Sequence, residues 1–383
     1  MEFLLNPDVT FLNFGSFGAC PREIFREYQK NQLEFERNPV YFMVDEGVRR
    51  LADARMKLAS YVGAKSDEIV FTTNPTYAIN IIAKSIQLEP GDEILTTDLE
   101  YGAMDRTWEF YCSQKKAKYI KQHINLPVVS KGQILEDFWK GFSDKTKVVF
   151  ISQITSATAL ILPVEEICKE AKRRGLITIV DGAHVPAHIP LDLNELKADV
   201  YTGACHKWMM GPKGAAFLYV KKEFQDWIDP LVVSWGYKSD NPSDSQFIDY
   251  HQMNGTRDYS AFLTVSFVLD FLKRNKWTDV AFKNREWNID LLSGLKEEFK
   301  FESISPIDKE FLGQMGVIPI KTNNPILLKK ELLEKYRIEI PITVNNDDLY
   351  LRYSVQVFNE QSDFDKLIRV LHQLKKNQKI FLK

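Results

Sequence analysis

The sequence predicts an α/β protein: a large domain on a mainly parallel, seven-stranded sheet, followed by a smaller α+β C-terminal domain. Three observations lead there. Between Glu68 and Val220, short runs rich in β-branched residues alternate with segments of helical period. Beyond about Gly255 the texture changes to longer helical stretches with a few separated strands. The 383 residues suit two domains and allow a sizeable core. The expected division is an N-terminal segment, 1–20, packing with the small domain or over the site, a large domain, 21–254, and a small domain, 255–383.

The elements follow in order. Glu68–Thr72 is a β-branched strand, and Thr76–Gln87 a helix with Ile79, Ile82, Ala83 and Ile86 on one face. Pro90-Gly91-Asp92 is a turn before the strand Glu93–Thr97. Tyr101–Lys115 reads as a helix and Ala117–Ile124 as a strand. Lys147–Ser152, with Val148-Val149-Phe150-Ile151 at its centre, reads as a strand buried on both faces. Pro163 opens a helix that runs through Arg174 and stops at Gly175. Leu176–Val180, Asp199–Gly203 and Ala215–Val220 complete the seven strands. In the second domain, Phe262–Arg274, Asn284–Phe299 and Phe364–Lys376 read as helices, and Met315–Ile320 and Tyr350–Ser354 as strands. Ser234–Tyr250, polar and Pro-containing, reads as a loop or linker.

Composition narrows the function classes. With 50 basic and 52 acidic residues the net charge is −2, which gives no footprint for nucleic acid or a membrane surface. The cluster Lys169, Lys172, Arg173, Arg174 has the spacing of a solvated helix face. No run approaches the ~20 apolar residues of a membrane helix, and the N-terminus lacks the positive leader of a signal peptide. The cysteines at 20, 112, 168 and 205 form no C-x-x-C pair and fit free thiols in a reducing cytoplasm.

Ligands of parallel sheets sit outside the carboxyl ends of the strands. Asp98–Tyr101, Thr155-Ser156 and Asp181–His184 all fall there. The most informative stretch is Gly203–Gly214, G-A-C-H-K-W-M-M-G-P-K-G, which sets Lys207 behind His206, 26 residues after Asp181. Pyridoxal 5'-phosphate (PLP) chemistry needs both groups. A lysine amine forms its Schiff base, and an acid keeps its ring nitrogen protonated so that the ring can take up electrons. A surface lysine and a turn-capping aspartate would have the same letters, but the pair together favours the cofactor. The strand–turn–helix Phe71-Thr72-Thr73-Asn74-Pro75-Thr76 could hold the phosphate on the amides of Thr76 and Tyr77 and the Thr76 hydroxyl, with Pro75 at the first helical position; a plain helix cap reads the same way. Tyr101 could stack on the pyridine ring or simply pack at a helix start. His184 is placed near the ring oxygen or the substrate face, and His206 near the phosphate. His184 and His188 have i, i+4 spacing, but Pro186 intervenes and no third ligand is visible, so no metal is expected. Arg352, in Leu349-Tyr350-Leu351-Arg352-Tyr353-Ser354, could bind a substrate carboxylate or face solvent from a strand.

The ordered set of motifs resembles the class V, fold type I, PLP-dependent aminotransferase family, in its isopenicillin N epimerase-like branch. The markers are T-T-N-P-T (72–76), D-x-E-Y-G-A (98–103), T-S-A-T-A-L-I-L-P-V (155–164), V-D-G-A-H (180–184), H-K-W (206–208), G-T-R-D (255–258) and L-R-Y-S (351–354). The resemblance runs from Phe11 to Asn359. It implies Lys207 as the Schiff-base lysine, Asp181 on the pyridine nitrogen, Tyr101 on the ring face and Ser156 near the ring hydroxyl. It implies Arg352 on the substrate carboxylate, with Asn13 helping to close the site. It also implies a homodimer in which Thr256 reaches the cofactor phosphate of the partner. Four positions depart from the family pattern: Pro75 for a usual alanine, Gln153 where the branch often has histidine, Ala159 for a usual glycine, and Ala204 for a polar phosphate ligand.

The expected reaction starts from a Lys207 aldimine and passes through a quinonoid after loss of the Cα proton to Lys207. Reprotonation at C4′ then gives transamination; at Cα from the opposite face it gives epimerisation, which needs a second acid, with Tyr101 and His184 as the catalytic candidates. A β-elimination of the desulfhydrase type is the alternative, and a regulatory protein that keeps the fold is the non-enzymatic one. The persulfide mechanism of desulfurases is excluded, because it needs a thiol on a small-domain loop and the last cysteine is Cys205.

Overall fold

The computed structural model describes residues 1–382. Its strands, in chain order, are β1 (Thr10–Phe11), β2 (Ile69–Thr72), β3 (Glu93–Thr97), β4 (Lys118–Gln122), β5 (Thr146–Ser152), β6 (Ile177–Asp181) and β7 (Val200–Ala204). They continue with β8 (Ala216–Val220), β9 (Met315–Lys321), β10 (Ile338–Glu339), β11 (Ile342–Asn345), β12 (Asp348–Ser354) and β13 (Phe381–Leu382). Seven strands form the large sheet in the order β2-β8-β7-β6-β5-β3-β4. Only β8 runs against its neighbours, pairing antiparallel with β2 and with β7. Its hairpin with β7 is what carries the Lys207 loop.

The period-2 pleat explains why these segments are so apolar. Val70, Ile94, Val148, Phe150, Ile179, Val200 and Leu218 feed the core on one face. Their neighbours Phe71, Leu95, Val149, Ile151, Val180, Tyr201 and Phe217 feed the core on the other. Helices cover both faces. The helix Val164–Arg173 has Glu165 and Glu166 in its first turn and Lys172 and Arg173 in its last, matching the helix dipole.

The small sheet is antiparallel, in the order β11-β12-β9-β13. The N-terminal segment lies against this part of the chain: β1 pairs parallel with β10, and the Ser354 amide donates to the Leu12 carbonyl at 2.9 Å. The helix Ser260–Arg274 packs instead on two earlier helices, Arg22–Arg37 and Gly47–Val62. Several elements differ from the sequence expectation. Those two early helices were not anticipated. The helix expected at Asn284 starts at Trp277, where the Trp277 indole N–H donates to the Ala187 carbonyl at 3.0 Å. The expected loop Ser234–Tyr250 runs into a helix, Gln246–Gln252, capped by Ser245.

Candidate active site

Strand register sets the site. Ser152 and Asp181 stand side by side at the carboxyl ends of β5 and β6, and Asp181 pairs with Thr202 in the middle of β7. Three residues past β7, Lys207 lies in a tight loop closed by Met210 N–H to Lys207 O and Gly211 N–H to Cys205 O, each 2.9 Å. The Lys207 Nζ is 3.1 Å from His184 Nε2. Burial pushes the Lys207 amine down to about 8, with help from the Arg352 charge and against the pull of Asp181. Asp181 is buried, and its Oδ1 accepts the Ala183 amide at 2.9 Å. Burial raises its carboxyl above the usual range, while that amide and Lys207 oppose the rise. His184 is held neutral, well below its ordinary value, first by burial and then by Lys207 and Arg352.

Across the site, the β11–β12 hairpin reaches over the loop after β5. Thr343 Oγ1 donates to the Ala157 carbonyl at 2.7 Å. Arg352 on β12 is only 3% exposed. Its Nη1 donates to the Ser156 carbonyl and, at 3.3 Å, to Ser156 Oγ. Its Nη2 donates to Ser16 Oγ at 3.0 Å. Burial lowers the guanidinium to about 10, and Tyr101 works against that. Its Nε has no partner, and no carboxylate of the described residues lies in ion-pair range. A buried guanidinium without a counter-ion is costly, and an incoming anion would relieve that cost.

The remaining expected residues divide. Asn13 lies one step back from Arg352: its Oδ1 accepts from Ser16 Oγ at 2.5 Å, and its Nδ2 is 3.5 Å from Glu339. Tyr101 caps the helix Gly102–Lys115 without a side-chain bond, and the residue is 47% exposed. Pro75 is buried at the first turn of the helix Pro75–Ser85. Thr76 follows, but the Asn74 side chain already accepts the Tyr77 amide at 2.8 Å. The Tyr77 amide is therefore spent on the cap, a correction to the expected phosphate cradle; the Thr76 amide and hydroxyl remain. His206 is fixed by its Nδ1, which donates to the Ala215 carbonyl at 3.0 Å, and burial lowers it to about 4. Thr256 sits on an exposed turn whose Asn254 approaches Tyr77 of the same chain at 3.5 Å. His184 and His188 join no third ligand: among the described residues no group of three or more His, Cys, Asp or Glu could hold a metal ion.

Several contributors were not legible in the sequence. Gly18, at φ 64°, lies on the lysine loop: a Cβ there would meet the His206 carbonyl at 2.3 Å, so only glycine fits. Ser16 completes the Arg352 cradle. Glu100 is buried beneath the site, accepting from Thr97 Oγ1 at 2.7 Å and from the Ser152 amide at 2.9 Å. Burial pushes it up to about 8, and Asp181 adds to the rise. Only the D-x-E-Y-G-A pattern hinted at it.

The donor set fits PLP. Asp181 has a single amide donor on Oδ1, which leaves Oδ2 for a protonated ring nitrogen. Lys207 presents an amine biased toward its neutral form, and Arg352 an unused N–H. The comparisons agree with this chemistry. Residues 20–367 match the family "Aminotransferase class-V". The chain is 32% identical to the isopenicillin N epimerase of Amycolatopsis lactamdurans, covering 97% of this chain and 96% of that one. It is 28% identical to a probable chloroplastic L-cysteine desulfhydrase of Arabidopsis thaliana, covering 94% and 82%. Among solved structures, it shares its fold with C-DES carrying glycine covalently linked to the PLP cofactor, at TM-score 0.83, 20% identity and 95% and 96% coverage. A cysteine desulfurase of Thermococcus onnurineus NA1 gives TM-score 0.82 at 20% identity, covering 98% and 97%. The chain belongs to the class-V aminotransferase family of PLP-dependent enzymes.

Proposed function

We propose that this enzyme acts at the α carbon of an amino acid as an aminotransferase or epimerase, with Lys207 as the catalytic amine. The observation that carries the reading is the Lys207–His184 contact of 3.1 Å beside buried Asp181, facing an Arg352 that lacks a counter-ion. Bound PLP supplies an aldehyde for Lys207 and a protonated ring that takes up electrons when a bond at Cα breaks.

The chain's own residues do the rest. Asp181 holds the proton on the ring nitrogen. Thr76 and His206 hold the phosphate; a dianion beside His206 would draw a proton to its Nε2, opposite the nitrogen bonded to Ala215. Tyr101 covers a ring face, and Ser156 and His184 lie on the ring-oxygen side. Arg352 takes the substrate carboxylate, with Asn13 and Ser16 bracing it. Lys207, about half in its neutral form near pH 8, removes the Cα proton; in epimerisation a second acid on the opposite face, for which Tyr101 is the candidate, would supply the new one. A homodimer in which Thr256 reaches the partner's phosphate is part of the proposal: Thr256 is exposed and makes no hydrogen bond among the described residues. The four unpaired cysteines fit a reducing compartment, and the cytoplasm is the proposed location.

The relatives named L-cysteine desulfhydrases favour one second reading, β-elimination. One experiment tests both. The purified protein is loaded with PLP, reduced with borohydride and mapped; a pyridoxyl adduct on Lys207 is expected, and none in Lys207→Ala. The unreduced protein is then offered an amino-acid panel in deuterated water. Cα deuteration with inversion marks an epimerase, keto acid with pyridoxamine phosphate an aminotransferase, and sulfide with ammonia and pyruvate from cysteine an eliminating lyase. An adduct on another lysine would refute the assignment of Lys207.

A further inference from the structure

Behind Lys207 lies a chain of hydrogen bonds that fixes the position of every proton in it. We propose that Trp208 and His188 are positioning residues that hold the His184 imidazole as its Nε2–H tautomer, with that N–H directed at the Lys207 amine. The proposal rests on the reading of Lys207 as the catalytic amine and adds how that amine is kept ready.

The Trp208 indole N–H can only donate, and it faces His184 Nδ1 at 3.4 Å. An Nδ1–H tautomer would set two donors head to head inside the core, since both rings are buried. His184 Nδ1 therefore accepts, and in a neutral ring the proton sits on Nε2. That nitrogen is the one 3.1 Å from Lys207 Nζ. An Nε2–H donates, so the amine must accept, and only the neutral amine has the lone pair to do so. The same lone pair makes it a nucleophile and a base.

Trp208 is itself held from two sides. The His188 ring stacks on it, centroids 3.9 Å apart and 24° between planes. Phe14 of the N-terminal segment meets it at 5.2 Å. His188 is buried, and its two nitrogens play opposite parts. Nδ1 donates to the His184 carbonyl at 2.7 Å, and Nε2 accepts the Gln314 amide at 2.5 Å. Gln314 precedes β9, so the small domain braces the turn that carries His184. The Gln314 side chain adds a bond to the His188 carbonyl at 3.2 Å and accepts from Asn284 at 2.9 Å.

A consequence follows for the chemistry. A neutral Nε2–H imidazole that surrendered its proton would become an imidazolate. His184 thus orients and hydrogen-bonds the reacting groups, and proton transfer on this side falls to Lys207.

The test begins with cofactor-free protein carrying 15N-labelled histidine. Two-bond 15N–1H correlations give the tautomer of each of the six rings, assigned by single His→Gln substitutions. Above pH about 8, where the Lys207 amine is mostly neutral, wild-type protein should show His184 as Nε2–H and His188 as Nδ1–H. Trp208→Phe keeps the ring stack but removes the indole donor, and should convert His184 to a tautomer mixture. After PLP loading, that variant should still give the Lys207 adduct while Cα–H exchange slows about tenfold, the effect of one lost hydrogen bond. His188→Phe should move His184 in the same direction. His184 as Nδ1–H in the wild type, or a His184 signal unmoved by Trp208→Phe, would overturn the proposal. If Trp208→Phe does not fold, the wild-type spectrum still decides the tautomer and His188→Phe supplies the perturbation. Failure of the Lys207 adduct in the wild type would instead sink the functional reading, and the tautomer measurement is independent of it.

Discussion

Arg352→Gln isolates the proposed substrate-carboxylate contact. The wild-type guanidinium spends Nη1 on Ser156 and one Nη2 hydrogen on Ser16. Nε is unused, and the second Nη2 hydrogen is available beside it. Two charged N–H···O bonds to a carboxylate would contribute roughly 1.5–3 kcal/mol each, less what desolvation returns. A net loss of about 3 kcal/mol, or roughly two orders of magnitude in kcat/KM, is expected with glutamine in its place. Stability should move the other way or not at all. The residue removed is a buried cation without a counter-ion, and glutamine can still donate to the Ser156 carbonyl. The assay compares kcat/KM for an amino acid and its carboxamide in both proteins, with thermal melts of the substrate-free forms. The wild type should strongly prefer the free acid, and the preference should collapse in the variant. A variant that keeps the preference, or one that loses several kcal/mol of folding stability, would show that Arg352 is structural and refute the reasoning.

Three further outcomes are expected. Asp181→Asn removes the anion that holds a ring proton; the Lys207 adduct should persist while turnover falls by about 10²-fold or more, and full activity would refute the assignment. Ala159 stands at φ 58° in the loop after β5, where an L-residue costs about 1 kcal/mol, so Ala159→Gly should raise the melting temperature by about 1 °C; a fall would show that alanine's side chain matters more than its backbone. Burial raises the Glu100 carboxyl to about 8, so the stability it contributes is full below the ordinary glutamate range and is lost progressively as pH rises from there to about 8. Glu100→Gln should remove that loss, making the variant's melting advantage larger at pH 9 than at pH 6; the reverse trend would contradict a buried neutral acid.

Much of the large domain was legible because its strands are apolar on both faces and its helices begin and end on recognisable residues. Val148-Val149-Phe150-Ile151 could only be a buried strand, and Pro163 and Gly175 bracketed a helix that the structure places at Val164–Arg173. The two helices at Arg22–Arg37 and Gly47–Val62 escaped because their start signals are weak: neither has a side-chain cap bond. The helix at Trp277 opens after Lys276 in a left-handed conformation, φ 47°, which no residue preference announces. At the site, Lys207, Asp181 and Arg352 were legible as types in known patterns. The strand–turn–helix at 71–76 left the phosphate cradle and the plain cap equally open, and the fold spends the Tyr77 amide on the Asn74 cap.

The sequence alone determined which chemistry was available: an amine and an acid at the ends of neighbouring strands, an arginine on a later strand, and no thiol in the C-terminal third to carry a persulfide. Those are properties of residue type and local order, which the chain carries before it folds. Only tertiary structure decided the state in which those groups are held. Burial pulls the Lys207 amine down to about 8, the β12 strand buries Arg352 away from any carboxylate, and the Trp208 indole N–H, held by the His188 stack, sets the His184 proton. Desolvation and hydrogen-bond direction depend on which distant segments meet. Here Phe14 and Gly18 meet the Lys207 loop, Gln314 meets His188 and Ser16 meets Arg352, and the separation of these partners along the chain hides that until it folds.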